Sequence, residues 1–368
     1  MPRRIGLFGG LFNPPHLGHL ILAERAREAA RLDIVYWIPA GKPPHKTIDD
    51  PRPSPAERFR MVEESIAGHA AFRALDFEAS RDSTCYSIET VRHVESMHPG
   101  AELYYVLGED AFGTVNTWKN ADELRDKVTF AVYPRPSSAA HAPNHASFRS
   151  LRFPAPAIEI SSSDIRTRLR ACRSIRYLVH DAALRMIEEN AWYSAVIPEL
   201  LMEHIRMVED FAVTLAARWN ASPDVLRVAV RHHDAYKTMT FEESVSVLRE
   251  RGEAILEIET RFPVLLHGRV AAARLENTAF ALKGDDLDHA VEAVRHHTLG
   301  RIGMSKTCEI LMIADRAGKD WLDVNEVPAD LHEAVRQMFG QKLADLKKRG
   351  QEMDKRLFET ARSYGVSL

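Results

Sequence analysis

Cysteine is scarce in this chain: Cys85, Cys172 and Cys308 are the only three among 368 residues. They stand far apart in sequence, so they form neither a metal-ligand pair nor a disulfide framework, which points to a reducing interior. Charge of one sign is also lacking. The 49 basic and 52 acidic side chains leave a net charge of −3 with histidine neutral, giving no electrostatic footprint for a nucleic acid or a membrane surface. Long hydrophobic runs are missing too: none approaches the roughly 20 residues of a membrane span. The opening MPRRIGLFGG has no signal-peptide apolar region. A cytoplasmic protein is expected, without a nucleic-acid or membrane partner. What is present, 45% hydrophobic and 27% charged residues, is the composition of a soluble globular protein. The length exceeds a single ordinary core, so two domains of under about 200 residues each are expected.

The first half alternates apolar runs with helical patterns. Ile5–Phe8, Ile34–Ala40, Phe72–Ala79, Leu103–Leu107 and Val128–Tyr133 read as strands. That alternation predicts an α/β doubly wound parallel sheet, Rossmann-like, with ligands at the carboxyl ends of the strands. Pro134–Ser150, rich in Pro, Ser, Ala and His, reads as an exposed loop carrying solvated His141 and His145. From about Pro198 strands give way to amphipathic helices. The expected division is residues 1–194, α/β, and residues 195–368, all-α, with the boundary near Ala195.

Directly behind the first apolar run lies GGLFNPPHLGH, Gly9 to His19. Adjacent glycines let a backbone turn tightly and approach a ligand, and a helix N-terminus presents free N–H groups and a positive dipole end to phosphate. His16 and His19, one helical turn apart, can point the same way as donors to a phosphoryl oxygen. IPAGKPPHK places Lys42, His45 and Lys46 on a proline-stiffened loop after the second strand. ISSSDIR offers Ser161 and Ser162 as helix caps and Arg166 as a fork donor.

These segments resemble the nucleotidyltransferases that join a mononucleotide to ATP, in particular nicotinate-nucleotide adenylyltransferase. The first is similar to G-G-x-F-D-P-x-H-x-G-H, with Asn13 in place of the usual Asp, the second to P-x-x-x-P-P-H-K, and the third to I-S-S-T-x-I-R. The resemblance implies His16, His19 and Arg166 as catalytic residues. It implies Gly9, Gly10, Phe12, Lys42, His45, Lys46, Ser161 and Ser162 as the ATP site, with Mg²⁺ accompanying ATP. STCYSIET resembles the family's T-x-Y-T-x-x-T, implying an acceptor pocket of Thr84, Tyr86 and Ser87. GEDAFGTVNTW adds Gly108, Asp110 and Trp118, whose indole could stack on an aromatic ring. RYLVHDAALRMIEENAWY resembles the family's closing helix, with His180 where Pro is usual.

The second half carries a different constellation. His204 shares a helical stripe with Val208, Phe211 and Leu215, so it faces inward. His233–Asp234 in RHHDAYK, His267 in LLHGR, His297 in AVRHHTLG and Asp315 in ILMIADRA follow. Periodicity prefers His297, which shares a face with Ala290, Ala293 and Val294, over His296, which shares one with Glu292. The order resembles the HD phosphohydrolase superfamily, and its H-G and H-T-x-G elements resemble the branch that hydrolyses symmetrical dinucleoside tetraphosphates with a di-iron centre. The resemblance implies His204, His233, Asp234, His267, His297 and Asp315 as ligands of two iron or other divalent ions. Nitrogen and oxygen donors without thiolate suit iron or manganese and argue against a structural zinc knot.

The expectation is a bifunctional enzyme acting on ATP, nicotinate mononucleotide and diadenosine tetraphosphate, with oligomerisation left open. The alternatives are nicotinamide mononucleotide or phosphopantetheine as acceptor, and a nucleotide-sensing module or another signalling-nucleotide phosphodiesterase in the second half. A third alternative is an assembly scaffold ending in a Lys-rich helix over Leu331–Thr360.

Overall fold

The computed structural model describes residues 2–42, 53–134, 147–156, 158–194, 199–278 and 282–367. The chain forms two compact units. The first comprises Met1–Ile165 and Ile175–Leu184, the second Arg166–Ser174 and Arg185–Leu368. The expected boundary at Ala195 lies outside the described residues.

In the first unit the elements run β1 (Arg4–Gly10), α1 (Leu17–Ala30), β2 (Ile34–Pro39), α2 (Pro55–Ile66), β3 (Phe72–Ala74), α3 (Ser87–Met97), β4 (Glu102–Gly108), α4 (Glu109–Phe112), α5 (Ala121–Lys127), β5 (Val128–Tyr133) and β6 (Ser150–Arg152). Then come α6 (Ser162–Arg170) and α7 (Asp181–Glu189), each of which crosses the division between units. The sheet order is β3-β2-β1-β4-β5-β6, parallel throughout. The chain builds outward from β1 in one direction, then returns to build from β4 in the other. The crevice outside the carboxyl ends of β1 and β4 is therefore the topological switch point, where such sheets bind ligands.

Residues alternate across the sheet between two cores. Ile5, Leu7, Tyr105 and Phe130 face one; Phe8, Trp37, Val106 and Ala131 face the other. Helices cover both faces, as a parallel sheet requires. Trp37 is fully buried, its ring 5.0 Å from Phe8 and 5.3 Å from Phe12. Among the described residues its indole N–H has no hydrogen-bond partner. Trp37→Ala is expected to destabilise the unit by about 3–5 kcal/mol. Trp37→Phe, which removes the unsatisfied donor with a smaller loss of volume, should cost about 1.5 kcal/mol or less. Urea unfolding of both variants checks this.

Three sequence expectations are corrected here. The third strand stops at Ala74 instead of Ala79, because the chain turns over Asp76–Ser80, where Ser80 N–H donates to the Asp76 carbonyl at 2.9 Å. The exposed stretch Pro134–Ser150 ends in buried Phe148 and in β6, a sixth strand registered Phe130↔Ser150 on β5. His141 and His145 lie outside the described residues. Finally, the span Leu331–Thr360 is two helices, broken at Gly350 in the left-handed region at φ 62°.

The described part of the second unit from residue 199 is helical: α8 (Glu199–Arg218), α9 (Pro223–His233), α10 (Phe241–Glu250), α11 (Glu257–Arg261), α12 (His267–Thr278), α13 (Asp285–His296), α14 (Lys306–Ala314), α15 (Leu331–Lys348) and α16 (Lys355–Ser363). Its core gathers Val208, Leu215, Leu226, Val270, Val294, Ile310 and Met338 from six helices. Among the described residues no helix is long and apolar enough to cross a membrane.

Candidate functional site

At the switch point of the first unit, Gly9 and Gly10 complete β1, and neither adopts the left-handed backbone expected of turn glycines. Phe12 makes the turn, at φ 46°. The glycines serve instead as space. A Cβ on Gly10 would stand 3.0 Å from the Phe12 ring, and one on Gly9 3.0 Å from the Tyr105 hydroxyl. Phe12 is buried and packs edge-on to His19 at 5.0 Å.

His16 is the N-cap of α1 and His19 lies in its first turn, with the two rings stacked 3.6 Å apart. The His16 backbone N–H donates to His19 Nδ1 at 3.2 Å. A neutral His19 that accepts at Nδ1 carries its proton on Nε2. Ser162 Oγ donates to the Pro14 carbonyl at 2.9 Å, which joins two motifs distant in sequence. Ser161 Oγ accepts from the Asp164 N–H at 3.0 Å and caps α6. Arg166 is half-buried one turn further along that helix. Lys42 is exposed, and its backbone bridges to Thr84 of the acceptor segment. His45 and Lys46 lie outside the described residues.

Around the acceptor segment, Thr84 is exposed, while Tyr86 is half-buried with Lys119 Nζ 3.9 Å from its ring centroid. Ser87 Oγ accepts from the Tyr105 hydroxyl at 3.0 Å. Trp118 stands edge-on to Tyr105 at 5.7 Å. Gly108 caps the short α4, where a Cβ would fall 2.5 Å from Asp110 Oδ1. Sequence reasoning missed Glu78, which accepts from Thr90 Oγ1 at 2.6 Å and whose carboxyl is pushed up chiefly by burial. It also missed Arg58, fully buried on α2. The signal for Arg58 was available: it shares a stripe with Met61, Val62 and Ser65, the buried positions of that helix.

In the second unit the structure brings all six expected donors together. His204 Nε2 is 3.1 Å and His233 Nε2 3.3 Å from Asp315 Oδ1. His267 Nε2 is 3.1 Å from Asp234 Oδ1 and 2.9 Å from His297 Nε2. Two groups of ligand atoms result, His204–His233–Asp234–Asp315 and Asp234–His267–His297, sharing Asp234.

The donor set fits metal on several counts. His233 Nδ1 faces the Val230 carbonyl at 2.6 Å, His297 Nδ1 faces that of Val294 at 2.8 Å, and His267 Nδ1 faces that of Val264. Engagement of each Nδ1 by a backbone carbonyl turns each Nε2 to the cluster, the usual outer support of ligating imidazoles. The Nε2 atoms of His267 and His297 then face each other at 2.9 Å, an approach that a shared proton or a cation satisfies. Donors 2.9–3.3 Å apart suit neighbouring positions on one ion, since bonds of about 2.1 Å at right angles span about 3 Å. Asp234, His297 and Asp315 are also the C-caps of α9, α13 and α14, so three negative dipole ends converge on the cluster.

Its protonation tells the same story. Burial pushes His233 down, but Asp234 and Asp315 outweigh it and lift the ring to about 9. Burial and the neighbouring imidazoles push His297 down to about 3. Against the cost of burial, the histidines hold both carboxyls below their usual range. Two ionised carboxylates that keep an imidazole protonated mark a site demanding positive charge.

Two lysines escaped the sequence reading. Lys237, three residues past Asp234 in RHHDAYK, pairs with its Oδ2 at 2.7 Å. Lys342 donates to the Thr298 carbonyl at 2.6 Å, and burial pushes its ammonium down to about 8. A cavity of about 440 Å³ reaches Thr298, whose Oγ1 lies 3.2 Å from His297 Nε2, and its Arg295 and Arg356 are paired with Glu253 and Glu259.

Residues 7–168 match the cytidylyltransferase-like family model. A "Probable nicotinate-nucleotide adenylyltransferase" of Salinibacter ruber is 39% identical over 190 residues, covering 51% of this chain and 97% of that protein. The N-terminal half belongs to the nicotinate-nucleotide adenylyltransferase family. A relative of the same description from Shouchella clausii is 38% identical over 191 residues, 52% of this chain and 97% of its own length. Among solved structures, Plasmodium falciparum nicotinic acid mononucleotide adenylyltransferase complexed with NaAD is 17% identical at a TM-score of 0.46, covering 52% of this chain and 97% of that one. A structure described as a "predicted HD superfamily hydrolase involved in NAD metabolism" from Clostridium acetobutylicum is 24% identical at a TM-score of 0.41, covering 48% of this chain and 92% of that one.

Proposed function

We propose that the first unit of this family member transfers AMP from ATP to nicotinate mononucleotide, giving deamido-NAD and pyrophosphate. A phosphate oxygen of the acceptor forms the new bond to the α-phosphorus of ATP as the bond to the bridging oxygen breaks and pyrophosphate departs. The protein needs no covalent nucleophile, because positioning and charge stabilisation suffice for such a transfer. The observation that carries this reading is His19, whose Nδ1 is engaged by the His16 N–H at the start of α1. In the neutral ring the proton then sits on Nε2, the atom that meets an anionic oxygen in this reading. Ser161, Ser162, the glycine strand end and Lys42 complete the ATP site, with Arg166, His45 and Lys46 joining it. Mg²⁺ would arrive on the triphosphate, as that ion usually does.

Thr84, Tyr86, Ser87, Gly108, Asp110 and Trp118 form the acceptor pocket in this reading. Hydroxyl and backbone donors there favour a carboxylate over a carboxamide, since a mismatched buried polar group is costly. The specificity constant for nicotinate mononucleotide is expected to exceed that for nicotinamide mononucleotide by at least about tenfold. Steady-state competition between the two acceptors measures it, with phosphopantetheine as a third arm. Equal constants would leave a generic adenylyltransferase.

For the second unit, an HD-type domain in this reading, the function supported best is symmetrical hydrolysis of diadenosine tetraphosphate to two ADP. The shared position of Asp234 between two donor groups supports it. Two iron or other divalent ions held there would supply a water nucleophile and neutralise phosphate charge. His204, His233 and Asp315 would hold one, His267 and His297 the other, and Asp234 would bridge them. Lys237, paired with Asp234, would meet the polyphosphate in this reading. Metal analysis of anaerobically purified protein, with chromatography of products from a dinucleotide panel, tests the assignment. Metal binding without turnover on any dinucleotide would identify a sensing module instead.

A further inference from the structure

The guanidinium of Arg58 is fully enclosed on α2 and ties together two chain segments that leave the sheet separately. Nη1 donates to the Leu11 carbonyl at 2.6 Å, in the segment after β1. Nη2 donates to the Ala40 carbonyl at 2.7 Å and reaches that of Gly41 at 3.4 Å, in the segment after β2. A backbone bond from the Ala40 N–H to the Gly10 carbonyl at 2.9 Å adds a second tie between the same two segments.

Orientation follows from the peptide plane. In a trans peptide the C=O and the following N–H point in opposite directions. Among the described residues the only cis bond is Asn13–Pro14. Turning the carbonyls of Leu11 and Ala40 onto Arg58 therefore turns the N–H groups of Phe12 and Gly41 away from it, while the Lys42 backbone is engaged in its bridge to Thr84. A guanidinium suits this task because it presents several donors in one rigid plane and keeps its charge when buried. An ammonium has one nitrogen to share between two segments. The close fit at Gly41, where a Cβ would stand 2.2 Å from the Glu78 carbonyl, leaves that peptide little freedom to reorient.

We infer that Arg58 is a positioning residue for ATP: by holding three carbonyls it presents the peptide N–H groups of Phe12 and Gly41 to the triphosphate and fixes the spacing of the two segments. This rests on the reading of those segments as the ATP site. Preorganised backbone donors lose value steeply when misplaced by even about an ångström, on the order of a hundredfold in rate.

The test compares the full-length wild type with Arg58→Met, Arg58→Lys, Val62→Ala and His19→Ala. Val62 is fully buried on the same helix and donates to neither segment, so Val62→Ala reports what loosening α2 does by itself. The expected result for Arg58→Met is a roughly hundredfold lower kcat and at least about a tenfold weaker binding of ATP, with the KM for nicotinate mononucleotide within about twofold of wild type. Arg58→Lys should recover about a tenfold part of the loss. Val62→Ala should lower Tm with kcat and ATP affinity unchanged. Wild-type kcat and ATP affinity in Arg58→Met overturn the inference, as does an equal loss in Val62→Ala. If Arg58→Met does not fold, wild-type behaviour of Arg58→Lys overturns it. Full activity in His19→Ala would instead strike at the site reading itself, whereas loss there with an unaffected Arg58→Met rejects the role of Arg58 alone.

Discussion

Replacing Asp234 by alanine is expected to abolish both metal binding and dinucleotide hydrolysis while adenylyl transfer continues at the wild-type rate. Asp234 is almost entirely buried and is the one carboxylate common to both donor groups. One oxygen faces His267 at 3.1 Å and the other faces His233 at 3.5 Å. Without it, neither group keeps its charge balance or its spacing, and two cations would be held mainly by neutral imidazoles. Asp234→Asn, which keeps the shape but loses the charge, should fail in the same way. That outcome separates the electrostatic role from simple packing. Metal content per chain and nucleotide chromatography on the same sample measure it. Full hydrolysis by metal-free protein, or by either variant, would contradict the metal mechanism.

His19→Ala is expected to lower adenylyl transfer roughly a hundredfold, about 2.7 kcal/mol of transition-state stabilisation, with the KM for ATP little changed. The asymmetry follows from what the ring does. Its Nδ1 is engaged by the His16 N–H, and in the proposed reading Nε2 acts on charge that develops only as pyrophosphate leaves. A group acting there changes kcat more than ground-state affinity. His19→Gln, able to keep one donor near the same place, should retain more activity than alanine. A near wild-type rate in His19→Ala would remove its catalytic role and weaken the reading of the whole Gly9–His19 segment.

Much of this was legible in the sequence because it depends on patterns with a short physical reach. Five of the six strands announce themselves as apolar runs, since a parallel strand buried on both faces must be apolar on both. Periodicity separated His297 from His296, and the structure sets His297 in the cluster, 2.9 Å from His267, while His296 lines the neighbouring cavity. What stayed hidden depends on partners remote in sequence. The three residues of β6 include only one apolar side chain, partly buried Leu151, so its pairing with β5 leaves almost no pattern. The glycine strand end looked like a turn, but Phe12 turns instead because its ring is held against Trp37 and His19. Arg58 and Lys342 are polar residues on buried helix stripes, and their purpose appears only with the carbonyls they meet.

On the proposed reading, one chain carries two chemistries on separate residues. The direct measurement gives wild type, His19→Ala and Asp234→Ala, each full-length and metal-loaded, two assays: ATP with nicotinate mononucleotide, and diadenosine tetraphosphate alone. The predicted result is deamido-NAD and ADP from the wild type, ADP with about a hundredth of the deamido-NAD from His19→Ala, and deamido-NAD without ADP from Asp234→Ala. Loss of both products in either variant, or of neither in both, would contradict it.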